Sequence, residues 1–115
     1  LKRTYELYLH DIVEAISRIT AYTEGMSQDQ LRADTKTLDA TIHNLQIIGE
    51  AVSRLPVELT TRHPDVPWAQ IKAFRNIVVH TYWNVDMHVL WDILHDELEP
   101  LRAKVSEMLR AEAKE

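Results

Sequence analysis

Apolar residues recur every three or four positions along nearly the whole chain, and that spacing leaves few folds open. Tyr5, Leu9, Ile12, Ile16 and Ile19 advance by four, three, four and three. Leu38, Ile42, Leu45, Ile48, Val52 and Leu55 continue the pattern, as do Met87, Leu94, Leu98, Leu101, Val105 and Met108. Such spacing places one apolar stripe on each helix, and no segment shows the alternation of a half-buried strand. With two glycines and four prolines in 115 residues, turns are scarce and helices must be long.

The punctuation between stripes sets the boundaries. Gly25 suits a left-handed helix stop. Ser27 and Gln30 have the spacing of a capping box. The second long helix begins near Asp34 or Thr35. Gly49, inside it, would cost about 1 kcal/mol against alanine in an exposed helix, which predicts close approach by another helix. Pro56 marks the end of that helix or the first turn of a short one. His63-Pro64-Asp65 reads as a loop, and Pro67 suits the first turn of a third helix running toward Tyr82. Asn84 fits a left-handed cap, Asp86 an N-cap, and Val85 with Leu90 a hydrophobic staple. Pro100, inside the last stripe, should kink or restart its helix.

Short connections favour antiparallel neighbours. The expectation is an all-α, up-and-down bundle of about four main helices forming a single domain over 1–115. Its aromatic and aliphatic residues exceed what one thin bundle needs, which points to a homodimer. The hydrophobic fraction of 45% is enough for a core. No apolar run is long enough to span a bilayer, and the start lacks the apolar core of a signal peptide. The absence of cysteine removes disulfides, thiolate metal sites and cysteine nucleophiles, and fits a reducing cytoplasm.

The net charge of −5 argues against nucleic-acid binding through a global field. Its distribution weakens that argument. Between Arg62 and Trp83 stand three bases (Arg62, Lys72, Arg75) and one acid (Asp65), whereas Asp86–Glu115 holds eight acids and four bases.

The segment that carries chemistry is Arg75-Asn76-Ile77-Val78-Val79-His80-Thr81-Tyr82. Arginine is a permanent cation whose forked donors suit phosphate. Histidine exchanges protons near neutral pH. On one phosphodiester, His80 could handle a proton while Arg75 stabilises growing negative charge. Five residues along an ideal helix is about 500°, which leaves the two side chains roughly 140° apart. They converge only if the helix ends or distorts, if the arginine reaches around, or if two subunits share a site. From spacing alone, a helix-end salt bridge or a satisfied histidine is the better reading of the pair.

Longer blocks narrow the choice. Pro67-Trp68, Arg75-Asn76 with His80 and Tyr82, Val85-Asp86 and Val89-Leu90-Trp91 resemble the HepT-like branch of the HEPN superfamily. Ile47-Ile48-Gly49-Glu50-Ala51, Asp11-Ile12 and Asp39-Ala40 match further blocks in consistent order. The resemblance implies an all-α homodimer and the toxin of a type II toxin–antitoxin system. It implies a metal-independent endoribonuclease with an Arg-x4-His-x-Tyr motif. Arg75 and His80 are then catalytic and Asn76 supporting. Tyr82 is the residue adenylylated from ATP by a cognate minimal nucleotidyltransferase antitoxin. The implied partners are RNA and that antitoxin, with no metal, cofactor or membrane. Two positions depart from the pattern: Asn84 replaces a glycine, and Ile77 stands where a basic residue is common. The alternative is a non-catalytic helical partner, or nucleotide-binding subunit, of a nucleotidyltransferase.

Other candidates have bland readings beside sharp ones. His88, Asp92 and His95 share a helical face and could hold zinc, or form a solvated face with Asp96 and Glu99. Trp68, Trp83 and Trp91 could stack on bases or pack a core or interface. His10, His43 and His63 read as surface or packing residues. Glu50, on an otherwise apolar helix, is a candidate partner for a buried arginine such as Arg75.

Overall fold

A computed structural model of the protein describes residues 2–76 and 86–113, and among these no strand occurs. Helix α1 (Lys2–Thr23) is followed by α2 (Gln28–Ala33), α3 (Thr35–Ser53), α4 (Val57–Thr61) and α5 (Trp68–Lys72). Residues 74–76 are again helical. Helix α6 (Met87–Asp92) runs through a π-helical turn (Ile93–Glu97) into α7 (Leu98–Ala113). No described helix is long and apolar enough to cross a membrane.

The stripes read from the sequence form the core. Leu9, Ile12, Ile16 and Ile19 of α1 are buried against Ile42, Leu45, Ile48 and Val52 of α3 and Leu98, Leu101, Val105 and Met108 of α7. Each fully buried Leu or Ile is worth about 1.5–3 kcal/mol, so these stripes carry the stability of the bundle. The Tyr5 hydroxyl donates to Glu112 Oε2 at 2.7 Å. The start of α1 therefore meets the end of α7, while Ile19 and Thr23 lie beside Leu94 and Leu98. Helices α1 and α7 are thus antiparallel. Met26 and Asp34 line one depression, so α3 starts where α1 ends and runs back along it.

Local chemistry closes the ends as expected. Gly25 takes a left-handed φ of 75°. Ser27 and Gln30 complete both bonds of the capping box. Asp34 caps α3, accepting from the Thr37 amide at 3.0 Å and its hydroxyl at 2.8 Å. Those bonds, the amide first, lower the Asp34 pKa. Asp86 caps α6 through the amides of His88 and Val89. Asn84 and Val85 lie outside the described residues.

Two features depart from regular helices. The helix expected from Pro67 toward Tyr82 is interrupted at Ala73, and its part beyond Asn76 lies outside the described residues. At the break, the Asn76 amide donates to the Ala73 carbonyl, three residues back, at 2.9 Å. The last helix runs without interruption through Pro100, with a π turn in its path. Pro100 lacks an amide and its ring opposes the carbonyl four residues earlier, and the π turn lies immediately upstream, where that conflict is relieved.

Candidate active site

Arg75 is positioned by its neighbours on both sides in sequence and by α3 across the seam. Ile71 and Phe74, each 2% exposed, anchor the segment in the core. Gly49 lets α3 come against its backbone. A β-carbon at position 49 would stand 2.9 Å from the Arg75 amide nitrogen and 3.0 Å from the Lys72 carbonyl oxygen. The break at Ala73 falls between those two contacts. The sequence expectation of close approach at Gly49 is met, and the helix that approaches is the one bearing Arg75.

One residue further along α3, Glu50 Oε2 accepts a hydrogen bond from Arg75 Nη1 at 2.9 Å. Its other oxygen lies 3.4 Å from Arg54 Nη2. The Arg75 hydrogen bond, more than any other influence, holds the Glu50 carboxyl below its usual pKa. The two side chains are 36% and 48% exposed. This pair is therefore screened by water and contributes little to stability, but it fixes where a solvent-reachable guanidinium points. Bidentate donors remain part of the guanidinium fork, which is the geometry that phosphate oxygens accept.

Arg75 and Glu50 open into a cleft of about 390 Å³ lined also by His43, Gln46, Ile47 and Asn76. Asn76, the supporting residue of the motif, is exposed and shares this cleft with Arg75. His80 and Tyr82 lie outside the described residues, as do Ile77 and Trp83. His43, read from the sequence as a surface or packing residue, is exposed as expected, and it lines this cleft together with Gln46, which the sequence reading did not single out. The signal was present: His43, Gln46, Ile47 and Glu50 are spaced three, one and three apart, one stripe beside the apolar stripe of α3.

The other candidates resolve into packing or surface. Among the described residues, no group of three or more His, Cys, Asp or Glu could hold a metal ion. His95 stacks on Trp91, with ring centroids 4.0 Å apart, and its Nδ1 lies 2.9 Å from the Trp91 carbonyl. His88 Nδ1 lies 3.3 Å from Gln28 Nε2. Trp68 is half-buried and donates its indole N–H to the His63 carbonyl at 3.0 Å.

A larger cleft, about 450 Å³, lies between Val66–Ile71 and α7, lined by Asp65, Asp96, Glu97, Glu107 and Lys104. Lys104 is taken by Asp65 at 3.1 Å. Four carboxylates around one engaged lysine repel a phosphate, so size does not make this the site for a polyanion.

Comparisons with known proteins bear on the chain as a whole. The family model described as ribonuclease HepT-like matches residues 12–108. A Thermococcus cleftensis protein named "Probable ribonuclease HepT" is 34% identical, over 94% of this chain and 98% of its own. A Caldanaerobacter subterraneus protein named "Putative RNase TTE0752" is 31% identical over 96% and 98% of the two chains. A Methanocaldococcus jannaschii protein named "Putative RNase MJ0127" is 30% identical over 95% and 90%. No solved structure matches significantly. The family match spans the capped helices, the Gly49 seam and the whole Arg75–Tyr82 segment, and on that ground the chain belongs to the HepT-like ribonuclease family.

Proposed function

We propose that the protein is a metal-independent endoribonuclease that works as a homodimeric toxin. The observation that carries this reading is Arg75, held by Glu50 at the mouth of a solvent-open cleft, within the segment matched to a ribonuclease family. The ribose 2′-hydroxyl attacks the adjacent phosphorus, and the P–O5′ bond breaks. The products are a 2′,3′-cyclic phosphate and a 5′-hydroxyl. One proton leaves the 2′-oxygen and one reaches the departing 5′-oxygen. His80, or the His80 pair of the two subunits, handles these protons. Arg75 stabilises charge on the non-bridging oxygens, and Asn76 supports it.

The proposal extends to control. A cognate minimal nucleotidyltransferase antitoxin transfers AMP from ATP to Tyr82: the phenolic oxygen bonds to the α-phosphorus, the bond to the β-phosphate breaks, and pyrophosphate and the phenolic proton leave. The added phosphate takes the place of an RNA phosphate at the cationic site and repels the substrate strand.

The deciding experiment is digestion of total RNA in EDTA by the wild type and by His80→Ala. Cleavage by the wild type alone, leaving 2′,3′-cyclic phosphate ends, is expected. A requirement for a divalent ion, or 3′-hydroxyl products, would overturn the mechanism. Inactivity of folded, unmodified protein would leave the chain as a non-catalytic partner of the transferase.

A further inference from the structure

Phosphate chemistry at Arg75 accounts for one end of the 390 Å³ cleft but not for the rest of its wall. His43, Gln46 and Ile47 form a single stripe of α3 leading away from Glu50, and Asn76 faces them from the segment bearing Arg75. His43 is exposed, and Gln46 and Ile47 are half-buried. Among the described residues, no hydrogen bond occupies the side-chain amide of Gln46 or of Asn76.

The chemistry of this wall is specific. Ile47 supplies an apolar surface that rests on the core. His43 supplies a flat ring. The two amides each present a donor beside an acceptor, the pattern that reads the edge of a nucleobase. Single-stranded RNA is recognised in this way, by splayed bases stacked on flat side chains and hydrogen-bonded along their edges. A site for phosphate alone would be lined with cations. Here the wall beyond Arg75 carries no lysine or arginine, and the nearby Arg54 is paired with Glu50. The volume lies in the range of small-ligand sites.

We infer that this cleft is a base subsite: it seats one unstacked nucleobase of single-stranded RNA next to the phosphate held by Arg75, with His43 against its face and Gln46 and Asn76 along its edge. This rests on the ribonuclease reading for the choice of ligand. His43 and Gln46 select where the strand sits and take no part in bond breaking.

Binding can be measured without cleavage by using short 2′-O-methyl RNA, which lacks the attacking hydroxyl. Fluorescence anisotropy would compare an intact oligomer with a set each missing one base. The wild type should lose about tenfold in affinity when one particular position is abasic, and little at the others. His43→Ala and Gln46→Ala should each erase that penalty while keeping the same salt dependence, which reports phosphate contacts. Equal affinity for all abasic oligomers, a penalty that persists in both variants, or no binding of any oligomer would overturn the subsite. Cleavage of total RNA judges the nuclease separately. An abasic penalty without cleavage leaves the subsite standing and sinks the nuclease; cleavage without a penalty does the reverse.

Discussion

Gly49 lies directly against the backbone of Arg75, close enough that a β-carbon at 49 would stand 2.9 Å from the Arg75 amide nitrogen and 3.2 Å from its Cβ. Gly49→Ala gains up to about 1 kcal/mol of helix propensity. Overpacking a helix seam costs about 1–3 kcal/mol, and here the obstacle is backbone, which yields least. A net loss in urea unfolding is therefore expected. Cleavage should fall further than stability, because the seam can open only by moving Arg75. A variant as stable and active as the wild type would show that the contact yields freely.

Glu50→Gln keeps shape but removes the charge that orients Arg75. The pair is well exposed, so the unfolding midpoint at neutral pH should hardly move. Cleavage should fall by up to about 100-fold, the scale of a misplaced catalytic group. The folded-state carboxyl sits below its unfolded value of 4.5. Its small stabilising contribution is thus complete above that value and lost as pH falls through the folded pKa. Acid titration of stability should show a slightly shallower decline in Glu50→Gln.

Burial, followed by Asp96 and Asp92, raises the pKa of Glu97 above its ordinary 4.5. The folded state then holds the proton more tightly, so stability declines as pH rises from the ordinary value through the raised one. Glu97→Gln should be modestly more stable than the wild type at neutral pH. Thermal unfolding across a pH series should show that advantage vanishing below about pH 4.5, where Glu97 is protonated in both states. An advantage independent of pH would point to packing instead.

Thr41 is fully buried on α3, and among the described residues its hydroxyl has no hydrogen-bond partner. An unsatisfied buried polar group costs about 1–3 kcal/mol, whereas an apolar group of the same shape does not. Thr41→Val should raise stability by about 1 kcal/mol in chemical denaturation. Cleavage should be unchanged.

Coexpression with the cognate nucleotidyltransferase should add mass to the wild type in steps of AMP and none to Tyr82→Phe. The variant should escape silencing. Peptide mapping that finds AMP on another residue would remove Tyr82 from the proposed control.

What could be read from the sequence was what local chemistry decides. Ser27 with Gln30, Asp34 and Asp86 cap helices through their own side chains, and their roles needed no knowledge of the fold. Gly49 announced a close contact because glycine inside an apolar stripe has a price that only packing repays. Glu50 was a candidate partner for Arg75 because it is charged on an otherwise apolar helix beside that seam; the pair forms, but with a guanidinium that is 36% exposed rather than buried. The break at Ala73 was not, since it arises where α3 meets Lys72 and Arg75, a contact 23 to 26 residues apart in sequence. The place of His43 and Gln46 on the cleft wall was hidden for the same reason. Polar residues on an exposed stripe look solvated until a second segment closes a cleft over them.

The π turn of Ile93–Glu97 amounts to one surplus residue in an otherwise regular helix. The buried residue is Ile93, with Leu94 of the expected stripe only half-buried, so the apolar step to Leu98 is five, which in an α-helix would swing the two side chains roughly 140° apart. The wider turn absorbs the extra residue, and both side chains stay in the core at 5% and 2% exposure. The helix thus has two halves in different reading frames, joined by an insertion. Removing one exposed residue between them, such as Asp96, restores a step of four and should bring the halves into a single frame.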